Sequence, residues 1–247
     1  MTTLRSLLTC LLLSLATPAA WGAATLDISP MGAVLAPQQR TTEIRVTNRG
    51  QSAVAVQASL EAWAQEAGGA DRHTPTGDLV VFPKIFELQP GQSQTVRIGR
   101  SAASGAPATE GSYRLFLLEL PGSEDGQVGM NLRVSLPVWL RPTQAQNNWS
   151  LPLPQRDQGK AVLAVTNDGN AHVRVQKFLL EALDGMGQAR ASAERSGWYV
   201  LAGNTGRFAM ELPAGFCDKA LQLRLTALVE SAEPRSAQWP ATALCGG

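Results

Sequence analysis

The sequence predicts an all-β chain of two tandem immunoglobulin-like β-sandwich domains. Three observations predict it. Short runs with period-2 apolar alternation recur along the chain, and a helix would smear such a pattern around its circumference. Clusters of Gly, Pro, Asn, Asp and Ser separate the runs at the spacing of a sandwich. One turn-and-strand phrase also occurs twice, once in each half. Thr47-Asn48-x-Gly50 followed by Val54-x-Val56-Gln57 returns at a constant offset as Thr166-Asn167-x-Gly169 and Val173-x-Val175-Gln176. A sandwich hairpin favours an Asn-x-Gly turn before alternating valines, so the repeat speaks for architecture rather than shared function.

In chain order, Met1 to Ala23 opens with Arg5 and continues through the apolar run Leu7 to Leu15. It ends in small residues around Ala19, Ala20, Gly22 and Ala23. That is the layout of a secretory signal peptide, with an apolar run too short to span a bilayer. Removal of residues 1–23 is expected to leave a mature chain outside the cytoplasm. The first domain is expected over residues 24–142, with strands at Leu26–Leu35, Thr42–Thr47, Ala53–Gln65, Leu79–Leu88, Gln94–Ile98, Ser112–Leu120 and Val128–Leu140. Arg100–Thr109, rich in Ala, Ser, Gly and Pro, reads as an exposed loop. Thr143–Asn148 is polar and without periodicity, and reads as a short linker that fixes the angle between domains. The second domain is expected over residues 148–247. Its strands are expected at Trp149–Leu153, Ala161–Thr166, His172–Ala182, Gly197–Leu201, Gly206–Leu212, Ala220–Val229 and Gln238–Leu244.

One strand stands apart. From Val128 to Leu140 every second residue is large and apolar: Val128, Met130, Leu132, Val134, Leu136, Val138 and Leu140. The run far exceeds the usual strand of about 5–6 residues. Either it bends between two sheets, or part of its apolar row serves something other than its own sandwich. The bland reading is pairing within its own domain. The functional one is a β edge lent to another chain, which adds backbone hydrogen bonds and seats side chains in the partner's pockets.

Composition narrows the function classes. A formal net charge of +1 gives no basis for nucleic-acid binding. Of three cysteines, Cys10 falls in the signal peptide. Cys217 and Cys245 then make an even pair in an oxidising compartment and are expected to form a disulfide, the alternative being two buried thiols. The two histidines, His73 and His172, lie in no metal-binding or catalytic spacing and read as solvated surface. No nucleophile elbow, phosphate loop or dinucleotide fingerprint is present. No catalytic residue, metal, cofactor or small-molecule substrate is therefore expected. A secreted hydrolase is the weakest reading, and a secreted adhesive or structural protein of tandem immunoglobulin-like domains a stronger alternative.

A series of motifs runs in order through the first domain. They are Ile28-Ser29-Pro30, Ile44-x-Val46-Thr47-Asn48-x-Gly50, Val81-Phe82-Pro83-Lys84-Ile85-Phe86-Glu87-Leu88-Gln89-Pro90-Gly91-Gln92, Gln94-x-Val96-Arg97-Ile98, Tyr113-Arg114-Leu115-Phe116-Leu117-Leu118-Glu119-Leu120-Pro121 and Leu132-Arg133-Val134-Ser135-Leu136-Pro137-Val138-Trp139-Leu140-Arg141-Pro142. In these residues the chain resembles the periplasmic pilus (fimbrial) chaperones of the chaperone–usher system. The resemblance implies that pilin subunits are bound by donor-strand complementation and delivered to an outer-membrane usher. By this resemblance Val128, Met130, Leu132 and Val134 are the donated row, and Glu110 pairs with Arg141 at the domain junction. The short loop Gly122–Gln127 is like that of chaperones for rod-like or adhesin-tipped pili.

Two positions depart from the better-known branch, which grips the subunit's C-terminal carboxylate with an arginine and a lysine. Here Gly32 and Pro137 stand in their places. Leu136-Pro137-Val138 and Tyr113-Arg114 resemble instead the archaic branch serving spore-coat-type pilins. Arg114 is then the first candidate carboxylate anchor and Arg133 the second, since an arginine can hold a carboxylate bidentately. The bland reading of Arg114 is an outward-facing, solvated side chain.

Overall fold

A computed structural model describes residues 26–67, 69–101, 107–121, 132–230 and 233–246. In the first half lie β1 (Leu26–Ser29), β2 (Ala33–Leu35), β3 (Thr41–Asn48), β4 (Val54–Gln65), β5 (Asp71–Pro75), β6 (Leu79–Phe82), β7 (Ile85–Leu88), β8 (Ser93–Arg100), β9 (Gly111–Glu119) and β10 (Arg133–Leu140). One sheet runs β1-β3-β8-β6; the facing one runs β2-β10-β9-β4-β5, with β7 also paired to β4. The inward rows of both sheets, among them Leu35, Ile44, Val56, Ile98, Leu115 and Val138, close on a dry core.

The second half repeats the plan with β11 (Trp149–Ser150), β12 (Gln155–Asp157), β13 (Lys160–Asn167), β14 (Val173–Leu183), β15 (Ala189–Ser196), β16 (Tyr199–Val200), β17 (Thr205–Met210), β18 (Gln222–Val229) and β19 (Arg235–Pro240). A one-turn helix, α1 (Thr242–Cys245), follows. β13 carries β11, β12 and β17 in one sheet; the other runs β15-β14-β18-β19, with β16 on β14. The core is built around Phe178, Leu163, Leu180 and Leu225. A Cys217–Cys245 disulfide fastens α1 to the segment after β17. Closing a loop of that size restricts the unfolded chain by about 3–4 kcal/mol.

The repeated Asn-x-Gly phrase has a structural cause. Asn48 and Asn167 are fully buried at the ends of β3 and β13. Asn48 Nδ2 donates to Ser52 O and Leu88 O, at 2.7 and 3.0 Å, and its Oδ1 accepts from Gly50 N. Asn167 does the same with Ala171 O and Val200 O, at 2.9 and 3.0 Å, and with Gly169 N. Each amide satisfies a tight turn and also bonds a carbonyl of a neighbouring strand, which water cannot do in a dry core. Gly169 carries a second constraint, because a Cβ there would overlap Gln146 O of the linker.

Several strand boundaries differ from expectation, each for a backbone reason. Leu26–Leu35 is two strands. β1 pairs antiparallel with β3, then the chain breaks at Pro30-Met31-Gly32 and β2 pairs parallel with β10 in the facing sheet. Leu79–Leu88 likewise divides at Pro83-Lys84, so that β6 joins β8 and β7 joins β4. A proline cannot donate to a ladder, and at both places it lets the chain change sheets. β5 and β15 were hidden in polar sequence. Both are edge strands, where little is buried and alternation fades. The expected strand Gln238–Leu244 ends at Pro240 and passes into α1.

Asn167→Ala removes the buried amide that donates to Ala171 O and Val200 O and accepts from Gly169 N. The expected loss is about 3 kcal/mol of unfolding free energy, read as a lower urea midpoint at unchanged slope.

Candidate functional site

β10 has two neighbours over only part of its length. It pairs with β9 from Arg133 to Leu140, but β2 covers its other side only at Val138, Trp139 and Leu140. From Arg133 to Pro137 that second edge is open among the described residues. The apolar row changes character along the same stretch. Leu140, Val138 and Leu136 are buried in the sandwich, Val134 is half-buried at its rim, and Leu132 is 39% exposed. One continuous row thus begins in the chain's own core and climbs out of it. Val128 and Met130 lie outside the described residues.

The open edge stops where Gly32 meets Pro137. A Cβ at Gly32 would lie 3.1 Å from Pro137 Cγ and 3.2 Å from its carbonyl oxygen. The two residues pack on each other, leaving no room for a long side chain at position 32 unless Pro137 shifts. Beside this contact a cleft of about 440 Å³ opens between the domains, walled by Met31, Trp139, Arg141, His172, Arg174 and Tyr199 among others.

The walls of the cleft are fixed by a buried carboxylate. Glu110, whose side chain is 1% exposed, accepts from Arg141 Nη1 at 2.7 Å. Its other oxygen meets His172 twice, from the backbone N–H at 2.9 Å and from Nδ1 at 2.6 Å. The acceptor-only carboxylate places the imidazole proton on Nδ1. The His172 ring stacks on Trp139 at 3.6 Å between centroids. Trp63 and Trp139 from the first domain pack with Tyr199 and Leu201 from the second in a small apolar cluster. Asn170 ties the joint from the side, donating to Ala108 O and Gln144 O and accepting from Gln146 N. Gln65, at the end of β4, donates to Tyr199 O and accepts from Leu201 N.

Arg114 is not the solvated side chain that a surface reading expects. It is 5% exposed, and its guanidinium lies 3.9 Å from the Trp63 ring centre and 5.3 Å from that of Trp198. Burial pulls it below the ordinary arginine range, an effect opposed by the field of Asp71 and then of Tyr199; it stays charged at neutral pH. In the ladder Arg114 stands directly opposite Pro137. Arg133 is exposed at the far end of the open edge, with its guanidinium 4.0 Å from the Phe116 ring centre.

The histidines correct the surface reading. The His172 side chain is only 11% exposed at the junction, and His73 lies in β5 with its ring edge-on to Phe116 at 5.4 Å. Sequence reading also missed Trp63, Trp198, Tyr199 and Arg174. The last pairs with Glu230 at 3.2 Å on the cleft rim. The large aromatics at outward positions of otherwise alternating strands were the available signal. Among the described residues no His, Cys, Asp and Glu cluster could hold a metal ion, and no helix is long and apolar enough to cross a membrane.

Residues 26–146 match the family described as pili and flagellar-assembly chaperone, PapD N-terminal domain. No curated protein sequence matches the chain. Among solved structures, the fold is similar to the CsuC–CsuE chaperone–tip adhesion subunit pre-assembly complex from archaic chaperone-usher Csu pili of Acinetobacter baumannii. That likeness has a TM-score of 0.59 and 20% identity, over 87% of this chain and 98% of the other. The YadV chaperone gives a TM-score of 0.61 at 16% identity, again over 87% and 98%. The Salmonella enterica SafA pilin in complex with the SafB chaperone gives 0.56 at 12%, over 89% and 97%. Both halves of the chain thus share the two-domain immunoglobulin-like fold of pilus chaperones.

Glu110→Ala removes the one acceptor shared by Arg141 and the His172 ring and leaves the arginine without its buried partner. The expected cost is about 2 kcal/mol, from the His172 donors left without an acceptor, read in chemical unfolding. A broader distribution of interdomain distances should accompany it, read by spin-label pairs placed one on each domain.

Proposed function

We propose that the protein is a non-enzymatic periplasmic chaperone that binds pilin subunits by completing their sandwich with its own strand and delivers them to an outer-membrane usher. One observation carries this reading: the open edge of β10 from Arg133 to Pro137, whose apolar row leaves the chain's own core at Leu136 and is exposed by Leu132. An edge of that kind offers backbone donors and acceptors together with side chains spaced for another sandwich's interior. The family match over residues 26–146 and the pilus-chaperone fold support it.

The geometry also sets where an incoming strand ends. From Val138 onward the edge belongs to β2, so an added strand must stop at the Gly32–Pro137 contact. Arg114 stands at that level one strand away. A subunit running parallel to β10 brings its C-terminal carboxylate there, and Arg114 is the proposed anchor. Arg133, at the opposite end, would meet the other part of the subunit. The donated row is Val128, Met130, Leu132 and Val134. Gly32, Pro137 and Tyr113-Arg114 support placement in the archaic branch, serving spore-coat-type pilins. The first domain (24–142) binds the subunit, the second (148–247) braces the cleft, and residues 1–23 direct export.

Co-expression with a pilin from a neighbouring gene tests the reading. The chaperone is expected to co-purify with the pilin, and Met130→Asp with Leu132→Asp is expected to cut recovery at least about tenfold, since two charges enter an apolar interface. Unchanged recovery would show that this row is not donated. Loss of recovery only with loop variants would favour a tandem-domain adhesive protein.

A further inference from the structure

We infer that Phe116 is a positioning residue for the donated strand: its ring receives the Arg133 guanidinium and carries the register of β10 out from the core to Leu132. The inference rests on the strand-addition reading above and names what holds the strand in place before a subunit arrives.

Phe116 is buried without belonging to a core. Its neighbours Leu115 and Leu117 fill the sandwich interior, while Phe116 lies on the outer face of the sheet and is still only 6% exposed. Directly opposite it stand Ser135 in β10 and Ser59 in β4, two small residues that cover little of a ring. The cover comes from further along β10 and from β5. The Arg133 guanidinium carbon lies 4.0 Å from the ring centre, and the His73 ring meets Phe116 edge-on at 5.4 Å. His73 Nε2 is buried with no hydrogen-bond partner among the described residues, so the imidazole serves here as packing. The result is a clasp on the outer face, propped from one side by His73 and closed from the other by the donor strand. At an exposed site a guanidinium over an aromatic face biases an equilibrium about two- to fivefold.

That bias matters because burial no longer holds the strand here. Leu136 is locked in the core, Val134 is half-buried and Leu132 is 39% exposed. The start of β10 therefore gains little from its inward row, and a strand end of that kind opens easily. A bulge is the second hazard. One extra residue looped out between Leu136 and Leu132 would turn Val134 and Leu132 onto the outer face and spoil the row that a subunit is to meet. The same bulge would swing Arg133 inward, away from Phe116. The clasp and the correct row thus require each other. Glu119 N, which donates to Leu132 O at 2.9 Å, closes the ladder at the same level.

Amide hydrogen exchange of the free chain and competition for a pilin subunit test this together. The Val134 amide faces β9, in step with the Leu132–Glu119 bond. Phe116→Leu keeps an apolar side chain and the Arg133 charge but removes the aromatic face; Arg133→Met removes the cation and keeps an apolar stem. Both are expected to speed exchange at Val134 about threefold and to leave Val138 unchanged, while Phe116→Tyr, which keeps the face, stays at the wild-type rate. Wild type and a differently tagged variant are then expressed together with limiting pilin from a neighbouring gene. About twice as much pilin is expected on the wild type as on Phe116→Leu or Arg133→Met, because the subunit must then order the strand itself. Unchanged exchange at Val134 in Phe116→Leu overturns the clasp and leaves strand addition standing. Faster exchange with an even share of pilin overturns it as well. A share lost by Arg133→Met alone places Arg133 against the subunit and contradicts the role given to Phe116. Acceleration that reaches Val138 equally reports a general loss of stability and contradicts a local clasp. A wild type that captures no pilin contradicts strand addition itself, and the inference falls with it.

Discussion

The geometry of the molecule depends on the Glu110 carboxylate. A buried anion must be satisfied by donors that stay in place, and the donors here come from both sides of a domain junction. Arg141 follows the end of β10, and His172 immediately precedes β14. Because His172 gives both its backbone N–H and its ring to the same oxygen, the second domain can neither slide nor rotate without breaking both bonds at once. The Trp139 stack, the Trp63–Tyr199 cluster and the Gln65 bonds then fall into place as a packed joint rather than a hinge. A fixed joint gives the cleft a fixed floor, and the open edge of β10 leads straight to it.

The open edge is a hazard that the chain limits by chemistry. An exposed apolar strand invites aggregation. Here Arg133 and Ser135 alternate with Val134 and Leu136, and Pro137 withdraws a backbone donor where β2 takes over. Among the described residues, the stretch from Arg133 to Pro137, with Leu132 before it, is left to pair. The mutual packing of Gly32 and Pro137 belongs to the same economy of space. Position 32 cannot take a long cation while Pro137 keeps its place. Arg114 stands directly across the ladder from Pro137 on β9.

Much of this was legible in the sequence, and the remainder was hidden for physical reasons. Alternation in β3 and β14 is carried by side chains with one dry face, and the expected strands fall there. The Asn-x-Gly repeat marked the turns, though not that each asparagine is a buried plug. The sheet switches at Pro30-Met31-Gly32 and Pro83-Lys84 escaped a reading by period, because alternation continues across a break that only pairing reveals. β5 and β15 were missed because an edge strand buries too little to impose a pattern. His172 read as surface because a lone histidine in a polar context usually is; nothing local signals that Glu110, far away in sequence, waits for it. Arg114 could be singled out as a cation in an apolar strand. Its aromatic cage could not, since Trp63 and Trp198 come from different domains.

The central claim is that β10 is lent along its free edge to another chain. Amide hydrogen exchange of the purified protein, free and in complex with a pilin subunit, tests it most directly. The account predicts strong new protection of the β10 amides that face away from β9 between Arg133 and Leu136, with little change in β14 or β18, whose ladders are already complete. A stable complex whose new protection falls on surface loops, with those β10 amides exchanging as fast as in the free chain, would contradict it.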